Sequence, residues 1–319
     1  MIATLTRALL VLQIAIAFLI ATIIERYAEG VSGSVAGVLG IACIFIARAL
    51  ITANNFRLAA RFPCESPCEP REMPLGWRGW SCLYFGELRA TLVSSSWTMP
   101  FRPLGSSLHA NGTGMPVLLI HGYGCNSGYW RPLSRCLDTA GISYQAVDLE
   151  PILCSIDAYE VQISRAVDSL CTATGQTQAI IVAHSMGGLV ARAWLRRHGS
   201  GRIATLITLG TPHDGTALAQ FGVGENSRQM CRTGRAGSGA CSAWLAALNA
   251  AGAPVPIVSI YSRHDNIIAP QSSSHLTGSK NIAFNGIGHV ALGMHPAVTA
   301  CVVEEVRQAI QAAADRPAV

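Results

Sequence analysis

AIIVAHSMGGLVARAWLRRHG (residues 179–199) is the stretch that decides the fold. AIIVA, Ala179 to Ala183, is a short continuous apolar run, the pattern of a buried strand. GGLVARAWLRRHG predicts a helix that closes near Gly199. Ser185 therefore stands at a strand-to-helix turn. A hydroxyl is a poor nucleophile at neutral pH, and needs a base in hydrogen-bond reach and an orienting acceptor for that base. It must also be exposed at the sheet edge. A sharp turn exposes it but crowds its neighbours, so small residues belong there, and Ala183, Gly187 and Gly188 supply them. The helix that follows aims its N-terminal N–H groups at the reacting centre and favours negative charge there. A serine at such a turn can also be a plain helix cap, so the surroundings decide.

Working outward, the same theme repeats. PVLLI (116–120) predicts a buried strand followed by a Gly-rich turn, and a helical stretch runs from Tyr129 to Asp138. SYQAVDL (143–149) is the next strand. Asp157-x-x-Glu160 has the form of a capping box, with Ile163, Val167 and Leu170 at helical spacing behind it. RIATLITLG (202–210), PIVSIYS (256–262) and NIAF (281–284) add strands, and Pro296 to Ala313 predicts a final helix with proline at an early position. Buried strands alternating with helices predict an α/β fold, a mostly parallel central sheet flanked by helices.

Three loops follow three of these strands with chemistry-bearing residues. His121-Gly122-Tyr123-Gly124 follows PVLLI, Arg263-His264-Asp265-Asn266-Ile267-Ile268-Ala269-Pro270 follows PIVSIYS, and Asn285-Gly286-Ile287-Gly288-His289-Val290 follows NIAF. ITLG runs into Thr211-Pro212-His213-Asp214-Gly215-Thr216. From Met115 to Ala313 the sequence resembles the α/β-hydrolase superfamily, in its bacterial lipase and esterase branch. The resemblance implies Ser185 as nucleophile, His289 as base and Asp265 as acid, in the chain order of that fold. It also implies the backbone N–H groups of Tyr123 and Met186 as oxyanion donors. Asp214 and His295 are the alternatives for acid and base. Asp214 lies earlier than the usual acid, and His295, before Pro296, reads as a helix N-cap. His184 reads as a packing neighbour of the serine.

Residues 214–254 are longer than a simple crossover. Leu218, Phe221, Met230, Trp244 and Leu245 suggest an apolar lid or acyl wall, with a mobile middle at Thr233 to Gly239.

The first fifty-odd residues concentrate the apolar excess behind a mean hydropathy of +0.36. Ala8 to Ile24 is broken only by Gln13 and Thr22; Val31 to Ala47 is a second run, weaker because of Gly33, Ser34, Gly37 and Gly40. Each is near the lower length limit for a bilayer span. No small-x-small cleavage site follows the first run, so a retained transmembrane hairpin is favoured over a signal peptide. Gly33-x-x-x-Gly37 offers a helix-contact face, or simply two glycines in a weak span. Arg7 before the first run and Arg48, Arg57 and Arg61 after the second outweigh Arg26 between them. That asymmetry predicts a two-pass protein of the cytoplasmic (inner) membrane with its catalytic domain on the cytoplasmic side.

The division predicted is hairpin 1–55, linker and extension 56–114, and catalytic domain 115–319. In the extension, Trp77 to Pro103 is poorly periodic and reads either as interfacial or as an extension packed on the main domain. The 11 cysteines form no zinc-type pair. Cys64-x-x-x-Cys68 is isolated, and Cys231 and Cys241 could bridge in an oxidising compartment. Asn111-Gly112-Thr113 fits a glycosylation sequon, but a turn explains it better. No metal or cofactor motif and no phosphate loop occurs. The net charge of +5 lacks a basic stripe with interleaved aromatics, so nucleic acid is not expected. Arg192, Arg196 and Arg197 read as a solvated helix face. The function expected is a membrane-anchored serine carboxylic-ester hydrolase acting on lipidic esters. An acyltransferase using the same triad is the alternative.

Overall fold

The computed structural model describes residues 1–62, 74–109, 114–233 and 240–315. Cys64, Cys68, the Asn111 sequon and the Gly-rich middle of the expected lid lie outside the described residues.

Two long helices open the chain, α1 (Ile2–Tyr27) and α2 (Gly33–Ala59). Both are long and apolar enough to cross a membrane. Their outward side chains are apolar, among them Val11, Ile14, Phe18, Val38, Phe45 and Ile51. They form a hairpin whose close approach falls at Gly40, where a Cβ would stand 3.1 Å from the Ala17 carbonyl carbon. A Cβ at Gly37 would meet nothing within 4 Å, which fits the plainer reading of that glycine as part of a weak span. At about 1.5 Å of rise per residue, the 27 residues of α2 exceed what a span needs, and its last turns reach the body of the protein.

The extension is helical: α3 (Trp77–Val93) runs through a π-helical turn (Ser94–Thr98) into the short α4 (Met99–Phe101). It packs on both partners. Tyr84 Oη donates to the Ala49 carbonyl of α2 at 2.8 Å, and Leu83, Glu87 and Ala90 are buried. The packed-extension reading of this segment therefore holds, with exposed Trp77 and Trp97 on its outer side.

A seven-stranded sheet follows: β1 (Ser106–Ser107), β2 (Val117–Ile120), β3 (Tyr144–Val147), β4 (Ala179–His184), β5 (Ile203–Leu209), β6 (Ile257–Ser262) and β7 (Lys280–Phe284). Its order is β1-β3-β2-β4-β5-β6-β7, antiparallel only at the β1 edge. The connecting helices are α5 (Arg131–Thr139), α6 (Glu160–Thr174), α7 (Met186–His198), α8 (Glu225–Met230), α9 (Ala243–Ala250) and α10 (Pro296–Ala314). Central β2, β4 and β5 are buried on both faces, which is why they read as unbroken apolar runs. One core lies on each side: Leu118, Ile181 and Leu189 on one, Val117, Val182 and Val302 on the other.

Two local expectations need correction. The helix after β3 is not capped by Asp157. Ser155 Oγ accepts the Asp157 N–H, a 3-10 turn intervenes (Ile156–Tyr159), and Asp157 instead accepts from Trp244 Nε1 at 2.6 Å. Arg192 is not solvated but 5% exposed; its guanidinium donates to His213 Nδ1 at 3.2 Å and Asn249 Oδ1 at 2.9 Å. Arg196 and Arg197 pair with Asp157 and Glu160.

Candidate functional site

The carboxyl ends of parallel strands gather the loops that follow them on one edge of the sheet, where ligands of open α/β folds bind. Ser185 follows β4 directly with φ 56° and ψ −127°, the one non-glycine residue with positive φ among those described. Such a conformation costs on the order of 1–3 kcal/mol, and persists only where its surroundings over-determine it. They do so here. Ser185 N–H donates to Leu209 O at 2.8 Å, and its carbonyl accepts from Thr211 Oγ1 at 2.9 Å. The small neighbours are sterically required: a Cβ on Gly187 would lie 2.5 Å from the carbonyls of Ile120 and His121.

Asp265 and His289 arrive from the loops after β6 and β7. His289 Nε2 is 3.0 Å from Ser185 Oγ, and His289 Nδ1 is 2.7 Å from Asp265 Oδ2. The other carboxylate oxygen of Asp265 accepts the N–H groups of Ile267 and Ile268, both at 2.8 Å. All three side chains are buried. Burial pushes the His289 pKa down, but the carboxylate of Asp265, with help from Glu87, more than offsets it, and the net shift is upward. The alternatives are elsewhere. Asp214 is exposed and accepts from Asn249, while His295 caps α10.

The His-Gly loop presses on the serine, since a Cβ on Gly122 would stand 2.8 Å from Ser185 Cβ. His121 fixes this loop. Its Nε2 accepts the Leu149 N–H at 3.0 Å, so Nδ1 carries the proton and donates to Gly122 O at 2.9 Å. Tyr123 lines the same cavity as Ser185, and Met186 N–H lies in the first turn of α7, where no intrahelical acceptor exists. His184 is held neutral. Burial, then the nearby His289, sets its pKa well below the ordinary value, and its Nε2 donates to the His289 carbonyl at 3.2 Å. Its ring stacks on Tyr129 at 4.4 Å.

A cavity of about 660 Å³ opens in front of Ser185. Tyr123, Leu218, Phe221 and Met230 line it, and so do Asn54, Asn55, Leu58 and Arg61 from the end of α2. The Tyr123 hydroxyl bridges to both backbone groups of Val223, at 2.8 and 3.0 Å, which ties the 217–223 segment over the cavity. Trp244 and Leu245, expected in the same wall, instead pack inward against the core of α6 and α7. Cys231 and Cys241 are free thiols. Among the described residues no group of three or more His, Cys, Asp or Glu side chains is placed to hold a metal ion.

One residue at the site escapes sequence reading. Glu87 of α3 is 1% exposed, and its two carboxylate oxygens accept the N–H groups of Val290 and Ala291 at 3.0 and 2.9 Å. These are the residues immediately after His289. Glycine at 288 makes room: a Cβ there would lie 2.6 Å from Glu87 Cδ. Burial raises the Glu87 pKa, against the lowering effect of the two N–H donors and His289.

The comparisons with known proteins agree with this architecture. Residues 115–232 match the family model of the α/β hydrolase fold. Triacylglycerol lipases of Pseudarthrobacter phenanthrenivorans and Burkholderia plantarii are each 27% identical over 117 residues, 34% of this chain. The match spans about a third of those relatives, 36% and 32% of their length. Among solved structures, the mature form of the Bacillus licheniformis lipase BlEst2 superposes with a TM-score of 0.55 at 14% identity, over 63% of this chain and 96% of that one. Its propeptide form gives 0.54 at the same identity, over 63% of this chain and 52% of that one. At that identity the likeness is one of fold. The chain has the α/β-hydrolase fold, with two long apolar helices ahead of its sheet.

Proposed function

We propose that this chain is a membrane-anchored serine hydrolase of lipidic carboxylic esters. The observation that carries the reading is the continuous hydrogen-bond chain Ser185–His289–Asp265, at 3.0 and 2.7 Å, facing a 660 Å³ cavity with apolar walls. Ser185 Oγ attacks the ester carbonyl while His289 Nε2 takes its proton. Asp265 holds the imidazole by Nδ1 and stabilises the imidazolium. The Tyr123 and Met186 N–H groups receive the developing oxyanion, as preorganised donors that need no reorganisation. His289 returns the proton to the leaving alcohol, then activates water against the acyl-enzyme.

The lipidic part of the proposal rests on α2. An apolar helix that ends with Leu58 in the cavity wall brings the membrane surface to the cavity mouth. Exposed Phe221 and Val223 beside it extend that apolar rim. The orientation with the catalytic body in the cytoplasm remains the reading of the arginine asymmetry.

Ester hydrolysis by the detergent-solubilised full chain, from acetyl to palmitoyl esters, tests the proposal beside Ser185→Ala. Turnover that rises with acyl length and vanishes in the variant supports it. Folded wild-type protein with no Ser185-dependent turnover of any ester overturns it. Turnover only with an added alcohol or amine acceptor moves the assignment to acyl transfer.

A further inference from the structure

A second cavity, of about 340 Å³, lies away from Ser185, where the extension meets the body. That is at the lower end of the ~300–1,000 Å³ of small-molecule sites. Four arginines border it: Arg89 of α3, Arg102 after α4, and Arg131 and Arg135 of α5. No carboxylate lines it among the described residues. Several other arginines of the body are paired instead. Arg196, Arg202 and Arg228 each meet an acidic partner within 3.5 Å. Arg131 is held by the carbonyls of Arg102 and Pro103, so its charge is positioned yet not neutralised. Like charges converging on one concavity repel, and the low-dielectric walls strengthen that repulsion. An anion bound between them reverses its sign.

Two further features fit an anion of one kind. The N-terminal turn of the 19-residue α10 contributes His295 and Pro296 to the lining, bringing the positive end of a helix dipole. Apart from Thr98 the remaining wall is apolar, with Val93, Trp97 and Met294. The cavity also sits beside the start of α1. Arg7 Nε donates to Pro100 O at 2.8 Å, its guanidinium lies 5.8 Å from the Phe101 ring, and that ring is 6.0 Å from Trp97. Arginine forks match phosphate oxygens, and an exposed indole suits a membrane interface.

We propose that this cavity binds a phosphate group, supplied by the headgroup of an anionic phospholipid. The phosphate chemistry stands on the arginines alone; the lipid source also rests on reading α1 and α2 as membrane spans. Ala291 and Met294 place one wall of the cavity on the segment that follows His289. Occupancy therefore bears on the same loop that Glu87 holds.

The test is binding to the full-length chain in a neutral maltoside detergent, carrying Ser185→Ala so that nothing is turned over. The probes are dihexanoylphosphatidylglycerol, inorganic phosphate and dihexanoylglycerol, and the comparison is with added Arg102→Gln and Arg135→Gln. Both positions are exposed, so an unchanged thermal melt verifies the fold of this variant. Expected are at least tenfold weaker binding of phosphatidylglycerol in the variant and unchanged binding of dihexanoylglycerol, which reads the Ser185 cavity. Inorganic phosphate binding as tightly as the lipid, and equally weakened, keeps the phosphate site and overturns the lipid source. Phosphatidylglycerol binding that the two substitutions leave intact, or no binding of either phosphate probe, overturns the site itself.

Discussion

Replacing Glu87 by glutamine isolates what the extension contributes to the site. The isostere keeps one acceptor for the Val290–Ala291 pair and sets an NH2 against the other N–H. A buried donor left without an acceptor costs about 1–3 kcal/mol. For a chain of this size each kcal/mol shifts Tm by roughly 2–4 °C, so a melting point several degrees lower is expected. The electrostatic effect has its own direction. The base must be neutral in the free enzyme, so kcat/KM falls as pH drops through the His289 pKa. Asp265 and Glu87 both hold that pKa above the ordinary histidine value. Removing the Glu87 charge destabilises the imidazolium, lowers the His289 pKa, and moves the acid limb of the profile to lower pH. A merely structural defect would lower the plateau and leave the limb in place. The assay is the pH dependence of kcat/KM on a soluble ester, wild type beside Glu87→Gln, with melts of both. A variant with the wild-type limb and melting point refutes the reasoning, and a limb displaced upward refutes its sign.

Three other substitutions probe separate parts of the argument. Gly288→Ala places a Cβ 2.6 Å from Glu87 Cδ; overpacking of about 1–3 kcal/mol should lower Tm and reduce turnover together, and wild-type values of both would remove the proposed brace. Arg192→Met removes the donor from His213 Nδ1 and Asn249 Oδ1, and a buried acceptor left without a donor costs about 1–3 kcal/mol; calorimetry should show the loss, while kcat at a temperature well below the melt stays near wild type. Leu58→Ala removes apolar surface from the cavity rim; at ~0.8 kcal/mol per buried CH2 a half-covered side chain changes the long-to-short ester preference about eightfold, and an unchanged ratio would detach α2 from acyl binding.

The parts of the molecule legible in the sequence are those whose signal is local. AIIVA and PVLLI are buried on both faces, so composition alone marks them as strands. Ser185 betrays itself because a strained turn tolerates only small neighbours at Gly187 and Gly188. The helix α3 was not legible, for a physical reason. Its buried stripe is Leu83, Glu87 and Ala90, of which one is charged and one is small. Its bulky residues Trp77, Trp80 and Phe85 face outward. The 3.6-residue period is present in burial yet inverted in hydrophobicity. Arg192 failed for a related reason. Its partners are 21 and 57 residues downstream, and nothing beside it in the chain announces that a guanidinium will be enclosed. The outer wall of the lid failed at Trp244, whose indole finds Asp157 across 87 residues and turns inward.

The first of these misses, α3, bears on what the N-terminal third does. A tether needs only an apolar length and a flexible link. Here the same region puts Leu58 and Arg61 at the rim of the Ser185 cavity, Glu87 under the two residues after His289, and Arg89 and Arg102 around the second cavity. Of the contacts that hold the segment after His289, Tyr129 Oη reaches Val290 O and Gly293 N–H from the body, while both carboxylate contacts come from the extension. Without α3, the Val290 and Ala291 N–H groups lose their acceptors beside the proposed base, and Gly288 faces an empty space that Glu87 had filled. The helices ahead of the sheet are thus built into the geometry on which the proposed chemistry depends, and α2, α3, the cavity rim and the loop after His289 form one unit.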